Sequence, residues 1–248
     1  MSRDWNGTTS VLLLGSGLGA LLTDAQPFTL TAWIYPEGLG ENNGGRLICK
    51  EDLGGNAGSW FWALNTDTGM SFLKTFSVTS LRKASTTNAI VLNRWQHVAV
   101  SWDGGTAATG VIMYFNGVSA AVYNASTDGV LTIDSDAAEE ARIGNLGNAT
   151  RTWNGQIAEV HWYRRVLSQE EVQSLMHSPA IHSAGQVGAV GTAGLIGYWP
   201  LGGMANNEPD LSGNQTTGTL TSMLFSARVP PVNHQYGPQP MGGGYDGG

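Results

Sequence analysis

The stretch Gly155–Leu175 constrains the fold most, because two different hydrophobic periods follow each other within it. Over residues 157–163 apolar and polar side chains alternate, which is typical of a strand with one buried side and one solvent-facing side. Ser168 followed by Glu171 then forms a capping box, the pattern with which many helices begin. We therefore predict a core strand followed by one short α-helix near 168–177. No other segment shows a clear helical period.

The rest of the sequence is typical of an all-β protein. Short alternating segments recur roughly every ten residues, with turn residues between them. Asn116-Gly117 is the strongest hairpin signal, and the polar turn at 65–69 predicts a second hairpin. The pattern indicates a sandwich or barrel of antiparallel strands. The predicted strands are 9–14, 28–35, 46–50, 59–64, 70–76, 90–92, 95–102, 111–115, 118–123, 131–133, 141–143, 157–163, 196–201 and 216–220.

Five segments carry a resemblance to a known family: PFTLTAWIYPEG, RWQHVAVSWDGG, VIMYFNGV, ARIGN and GQIAEVHWYRRVLSQEEV. In this order and spacing they resemble the framework strands of laminin G-like, pentraxin-like jelly rolls, a branch of the concanavalin A-like lectin/glucanase superfamily. The resemblance covers most of residues 26–175. It implies an all-β fold, a two-sheet antiparallel jelly-roll sandwich with one short α-helix.

The segment after the helix predicts completion of the same domain. Residues 195–221 contain YWPL, DLSGN and GTL, and they resemble a segment that opens the domain in many relatives, in permuted order. This segment has too few strands to bury a core of its own. We therefore predict a single laminin G-like domain at 1–226, completed by 195–221. Proline and glycine dominate 227–248 and predict an extended C-terminal arm.

Composition and charge exclude several classes of protein. The net charge of −7 and the pI near 5.1 argue against nucleic acid as a partner, because phosphate binding needs a basic surface. The single Cys49 excludes an intrachain disulfide. Apolar runs are too short for a membrane span, and the first residues lack the pattern of a signal peptide. We therefore expect synthesis in the host cytoplasm and no membrane partner.

These features predict a non-enzymatic structural or interaction protein. Jelly rolls with a permuted C-terminal segment resemble phage-encoded proteins, which implies a virion component such as a capsid decoration (cement) or tail-associated protein. The sandwich would be a rigid body, and the arm would dock on other virion or self subunits in an oligomer or a larger assembly. We expect localisation in the virion, with an extracellular location as the alternative. The arm residues predicted to contact a partner are Pro230, Pro231, Tyr236, Pro238, Pro240 and Tyr245.

The alternative function is a carbohydrate-binding, lectin-like module with a polysaccharide partner. Trp60 and Trp62 point to one face of their strand, and Trp153 lies in a predicted loop. An exposed indole at any of these positions could stack on a sugar. The other interpretation is that all three are core aromatics, which are common in sandwiches.

Calcium is the cofactor that the family resemblance implies, because pentraxin-type sites take acids and amides from the loop before the closing strand. Here the loop at 144–155 offers asparagines without a carboxylate, whereas calcium usually takes carboxylates among its six to eight oxygen ligands. Asp4 and Asn6 are weaker candidates. We predict no cofactor, with calcium as the alternative.

Catalytic patterns are weak. A glycosidase needs two carboxylates at a defined separation, and the nearest candidates are Asp134, Asp136 and Glu139, which we expect in a solvated loop. Glu159 stands mid-strand without a second carboxylate two residues away, which favours a structural role. The sequence contains no GxSxG elbow, and its histidines lack metal-ligand spacing. We therefore predict that the protein is not an enzyme.

Overall fold

A computed structural model describes residues 2–15, 18, 24–51, 59–147, 150–177, 190–202 and 206–232. These residues form one α-helix, α1 (Gln169–His177), and strands that make two sheets. No helix within these ranges is both long enough and apolar enough to cross a lipid bilayer. The strands are β1 (Ser2–Asn6), β2 (Val11–Gly15), β3 (Phe28–Pro36), β4 (Arg46–Lys50), β5 (Trp60–Leu64), β6 (Met70–Lys74), β7 (Leu81–Ser85), β8 (Gln96–Trp102), β9 (Val111–Phe115), β10 (Val118–Ser119), β11 (Tyr123–Thr127), β12 (Ala141–Ile143), β13 (Asn154–Tyr163), β14 (Leu195–Trp199), β15 (Asn207–Glu208), β16 (Gly218–Thr221) and β17 (Leu224–Ser226).

The two sheets are antiparallel throughout and pack as a sandwich. Sheet A has the order β10-β9-β8-β3-β13-β1-β17, with β14 also paired to β13. Sheet B has the order β11-β7-β6-β5-β4-β12-β2-β16-β15. The predicted fold class is confirmed, and so are both predicted hairpins, β5–β6 and β9–β10.

One edge of β13 is divided between β1 and β14, two strands that are far apart in the sequence. Its first half pairs with β1, with Arg3 opposite Ile157, and its second half pairs with β14, with Val160 opposite Trp199. Glu159 lies at the change of partner with a φ of 52°, and the register against β3 shifts there. A bulge in the left-handed region lets one strand serve two neighbours on the same side.

Strands β14 and β16, which come after α1 in the sequence, extend both sheets. β14 extends sheet A beside β13, and β16 pairs with β2 in sheet B, with Leu220 opposite Leu12. Trp199 and Leu201 lie fully buried in the same apolar core as the earlier strands. β14 and β16 are therefore part of the same two sheets as the earlier strands.

Aromatic side chains fill the space between the sheets. The ring of Phe28 from sheet A lies 5.2 Å from that of Trp60 in sheet B, and Trp60 lies 5.3 Å from Trp162. Phe72 and Trp102 pack edge-on or tilted against the same group. Large rings with tilted contacts pack densely, and each buries a large apolar area.

A second apolar cluster covers the outer face of sheet A. Leu167, Val172 and Leu175 from the α1 region pack with Tyr114 and Tyr163, which point outward from the sheet. The predicted solvent-facing side of β13 is therefore wrong, because α1 and its neighbours bury it. An alternating pattern whose outward residues are Tyr and His remains compatible with burial on both sides.

The capping box at the start of α1 is confirmed. The Ser168 N–H donates to Glu171 Oε2 over 2.8 Å, and the Glu171 N–H donates to Ser168 Oγ over 3.3 Å. Both Glu171 oxygens also accept from Arg165, over 2.9 and 2.7 Å. The hydrogen bonds from Arg165 are the main reason why the pKa of Glu171 is lowered. These contacts fix the chain where it leaves β13.

Some predicted strands are wrong, and others were missed. Residues 90–92 form no strand. They lie in a loop, in which the side chain of Ile90 is buried in the core. Residues 131–133 form no strand either, since Ile133 makes only an isolated bridge to Phe76 and Leu131 is exposed with a φ of 70°. The strands β1, β7, β15 and β17 were not predicted, and β11 was predicted only at Tyr123. Polar and basic residues in β1 and β7 hide the period on which strand prediction depends, and β17 is only three residues long.

The predicted solvated loop at 134–139 is also wrong at Asp136. Its carboxylate is 9% exposed and pairs with two lysines of sheet B, Lys50 at 2.7 Å and Lys74 at 2.9 Å. Both lysine side chains are 0% exposed. Each ammonium also donates to a carbonyl in this loop, of Asp136 and of Asp134. The ion pairs therefore hold the loop against the sheet.

Replacing Asp136 by Asn should lower the free energy of unfolding by about 3–5 kcal/mol, the usual cost of leaving buried charges without their partner. Urea unfolding would measure the change. Asp134→Asn is the matched control, because it is the same substitution in the same loop on a partly exposed side chain, and it should cost less than about 1 kcal/mol. Equal effects of the two substitutions would contradict this role of Asp136.

Candidate functional site

The three tryptophans predicted to stack on sugars all lie in the core. Trp60 is 2% exposed, and Trp62 and Trp153 are each 1% exposed. Trp60 and Trp62 do share a face of β5, as predicted, but that face points between the sheets. The sugar-platform prediction is therefore wrong for these residues, since none offers a ring face to a ligand.

The opposite face of β5 carries the accessible aromatic side chain. Strand alternation turns Phe61 outward between the two buried indoles, and Phe61 is partly exposed. Leu73 lies directly opposite Phe61 on β6, and Arg82 lies opposite Leu73 on β7. Together they form one cross-strand row on the outer face of sheet B. The five-letter segment WFWAL placed aromatics on both faces, which left the choice of face open.

A groove of about 450 Å³ runs over this outer face. The floor of the groove consists of two rows of side chains. The small Ala63 and Ser71 lie opposite each other in one row, and the apolar Phe61 and Leu73 lie opposite each other in the next. The hydroxyl of Ser71 is buried and has no hydrogen-bond partner in the described structure. The groove is lined by Asn43, Gly44, Arg46, Phe61, Ala63, Leu64, Asn65, Thr66, Asp67, Ser71, Leu73, Arg82 and Arg151.

Arginine side chains form the charged part of the groove. The Arg46 guanidinium lies 3.7 Å from the centre of the Phe61 ring and donates twice to Glu51, over 2.9 and 3.1 Å. Arg151 donates from Nη1 to the Asn42 carbonyl over 3.1 Å. Arg82 is exposed at the far side. A ligand in this groove would meet an apolar floor between cationic walls.

A second cavity of similar size lies where β9 and β10 meet β7 and β11. It is lined largely by apolar and small side chains, with Tyr114 and Tyr123 among them. Its cation, Lys83, already donates to the Ala108 carbonyl over 3.0 Å and lies 4.1 Å from the Tyr123 ring centre. The groove on sheet B contains the exposed Arg82 and a Ser71 hydroxyl that has no hydrogen-bond partner among the described residues. We therefore take this groove as the candidate site.

Comparison with known proteins identifies the family. A laminin G-type family model, described as Concanavalin A-like lectin/glucanases superfamily, matches residues 6–173. The chain belongs to the concanavalin A-like lectin/glucanases superfamily. This match confirms the superfamily and the jelly-roll fold that the sequence motifs implied. A comparison with curated proteins found no match.

Solved structures share the fold of this superfamily member at low sequence identity. A candidate carbohydrate-binding protein from Bacteroides ovatus aligns with a TM-score of 0.61 and 15% identity, over 90% of this chain and 58% of that one. The chain thus spans 58% of the length of that protein. The CBM40 domain of the IT-sialidase from Ruminococcus gnavus aligns with a TM-score of 0.50 and 13% identity, over 71% and 97%. At these identities the likeness shows the fold alone.

The predicted calcium candidates are engaged in protein contacts. Asn6 Oδ1 accepts hydrogen bonds from the N–H groups of Thr8, Thr9 and Ser10, over 2.8–3.2 Å. Asp4 Oδ1 accepts from Gln156 Nε2 over 2.7 Å. Over the described ranges, no three His, Cys, Asp or Glu side chains form a group that could hold a metal ion.

The arm residues fall partly outside the described ranges. Pro230 is buried against the chain itself, so it does not present a partner surface as predicted, whereas Pro231 is exposed. Arg228 docks this segment, since its guanidinium lies 4.4 Å from the Tyr35 ring centre and donates to Glu37. The predicted contacts Tyr236, Pro238, Pro240 and Tyr245 lie outside the described residues.

The carboxylates weighed for catalysis belong to different parts of the sandwich. Asp136 is held by lysines of sheet B, and Glu159 is buried in sheet A, where it accepts from Tyr198 Oη over 2.6 Å. The Tyr198 ring stacks on His161 at 4.3 Å, and His161 Nδ1 lies 3.1 Å from the Glu159 carbonyl oxygen. These contacts agree with the structural role predicted for Glu159.

Burial raises the pKa of Glu159 to about 7, against the opposing hydrogen bond from Tyr198 and with a further increase from the charge of Glu208. The folded chain therefore holds the Glu159 proton more tightly than the unfolded chain does. Its contribution to the free energy of unfolding is fully present below pH 4.5 and is lost as the pH rises through about 7.

Replacing Glu159 by Gln should remove this loss, because the amide oxygen still accepts from Tyr198 and carries no charge. Relative to the wild type, the variant should gain about 3 kcal/mol between pH 5 and pH 8, measured by urea unfolding. Glu139→Gln, the same substitution on a partly exposed side chain, is the matched control. A parallel pH dependence of wild type and Glu159→Gln would exclude a raised pKa at this position.

Proposed function

We propose that this chain is a non-catalytic carbohydrate-binding module that holds an oligosaccharide in the groove on the outer face of sheet B. The observation that carries the proposal is the groove itself, an apolar floor between polar and charged walls. Sugar-binding sites need this combination, because apolar surface contacts the C–H groups of the rings while placed polar groups orient the hydroxyls. The Asn65 and Thr66 side chains at the rim provide such groups.

The similar structures support this choice of function over others on the same fold. The proteins from Bacteroides ovatus and Ruminococcus gnavus are both named for carbohydrate binding, and this chain shares their fold. Fold alone does not determine function. The site therefore carries the argument, and the names show only that the fold is used in this way.

A binding role fits the groove better than a hydrolytic one. Asp67 is the carboxylate among the lining residues, and its oxygens accept from the Gly69 N–H and from Thr87 Oγ1. A glycosidase of the usual kind needs two carboxylates facing one glycosidic bond. We accordingly assign the groove to recognition.

The phage virion role, the location in the virion and the docking of the arm stay predictions. Of the predicted arm contacts, Pro231 is exposed and Pro230 is buried, and the other four lie outside the described residues. A virion role is compatible with carbohydrate binding. Co-sedimentation of the chain with particles from its native source would test it.

The direct test of the proposed function is a glycan array, followed by calorimetric titration of the best ligand with and without a chelator. Leu73→Ala should weaken binding roughly five- to ten-fold, because it removes apolar contact from the groove floor. Leu224→Ala is the matched control, since Leu224 is 66% exposed on β17, in the other sheet. Absence of any glycan binding, or equal loss in both variants, would reject the groove as a sugar site.

A further inference from the structure

The groove on sheet B is lined mainly by basic charged residues, whereas the chain as a whole is acidic. The chain carries 12 basic and 19 acidic residues, for a net charge of −7. The groove is nevertheless lined by Arg46, Arg82 and Arg151 against one carboxylate, Asp67. A concave surface of one sign concentrates ligands of the opposite sign.

Within the described residues, two of these arginines make no ion pair, whereas the third does. Arg46 is neutralised by Glu51, whose side chain is 7% exposed. Arg151 contacts a neutral carbonyl through one nitrogen, and Arg82 makes no ion pair within the described part of the chain. Arginine has a planar fork of N–H donors that fits a carboxylate with two parallel hydrogen bonds.

The floor supplies a second, independent signal for a ligand. Ser71 is 4% exposed, and its Oγ is a buried hydroxyl without a hydrogen-bond partner among the described residues. A buried polar group left in this state costs free energy. Ser71 alternates with the inward-facing Met70 and Phe72, so its side chain lies on the groove side of β6.

The arginines are spaced for an extended ligand. Arg82 lies on β7 and Arg46 on β4, three strands away, with Arg151 next to Arg46 through the hydrogen bond from the Arg46 N–H to the Arg151 carbonyl. At the usual separation of neighbouring strands this is about 14 Å across the sheet. A ligand that reaches both walls therefore extends along the sheet and passes over Ser71.

We propose that the groove selects acidic oligosaccharides, with sugar carboxylates bound by Arg82 and Arg151. This inference rests on the proposed carbohydrate-binding function and names its ligand class. The sugar rings lie over Ala63 and Leu73, and the hydroxyls meet the polar rim. A nucleic acid fits less well, because the surface of the chain outside the groove is acidic.

The test compares ligands that differ in the carboxylate. Trigalacturonate and its full methyl ester form one pair for calorimetric titration, and sialyllactose and lactose form a second pair for the other common source of a sugar carboxylate. In at least one pair the acidic member should bind roughly ten-fold or more tightly than its neutral partner, since charged hydrogen bonds are about twice as strong as neutral ones. Raising the NaCl concentration should reduce this preference.

Variants locate the preference in the groove. Arg82→Gln and Arg151→Gln should each reduce the acidic-over-neutral ratio roughly ten-fold, while Arg94→Gln, which removes the same charge from an exposed position outside the groove, should leave it unchanged. Ser71→Ala should weaken binding several-fold without lowering the melting temperature. A purely structural role of Ser71 would leave binding unchanged.

The outcomes separate this inference from the function on which it rests. Equal binding of both members of each pair overturns the inference and leaves the proposed function intact. Binding to none of the four saccharides overturns the inference, and a negative glycan array in addition rejects the proposed function. An acidic preference that survives both arginine substitutions also overturns the inference, since the carboxylate then binds elsewhere.

Discussion

β13 is hydrogen-bonded along both edges, and two strands that are far apart in the sequence share one of those edges. β1 contributes residues 2–6 and β14 contributes residues 195–199, on either side of the bulge at Glu159. Because β13 is buried along almost its whole length, any backbone group left unpaired there would be cut off from water, at a considerable cost in free energy. The sheet around β13 is therefore complete only when β1 and β14 have both paired with it. Because β14 and β16 pair with strands that come earlier in the sequence, they belong to the same domain as those strands.

Features that depend on local sequence were predictable. The hairpin at Asn116-Gly117 follows from the turn type that those two residues favour, and the capping box follows from two side chains three residues apart. The framework motifs gave the fold class for the same reason, because each strand carries its own pattern. The face of a strand that points into the core could not be predicted from local sequence. The alternation in WFWAL showed that β5 has two aromatic faces, and only the position of sheet A decides which face is buried.

Contacts between distant residues could not be predicted from the pattern. Asp136 is 86 residues from Lys50 and 62 from Lys74, and an acidic segment flanked by alanines resembles a solvated loop. The lysines looked equally ordinary at the ends of their strands. Each becomes buried because the strands β4 and β6 turn it toward the core beside Trp60. A buried carboxylate shared by two ammonium groups is stable only as a set, so no single residue reveals it.

The two outer faces of the sandwich differ in a way that bears on function. On sheet A the outward residues Tyr114 and Tyr163 are apolar enough to need cover, and α1 packs over them. On sheet B the groove is lined by the apolar Phe61 and Leu73 together with small, polar and basic side chains, and this face stays open. Small outward residues such as Ala63 and Ser71 leave space that larger strand formers would fill, and strand stability gains nothing from that space. The buried Ser71 hydroxyl without a hydrogen-bond partner, and the arginines that make no ion pair within the described residues, are the features of this face on which the proposed binding of an acidic oligosaccharide rests.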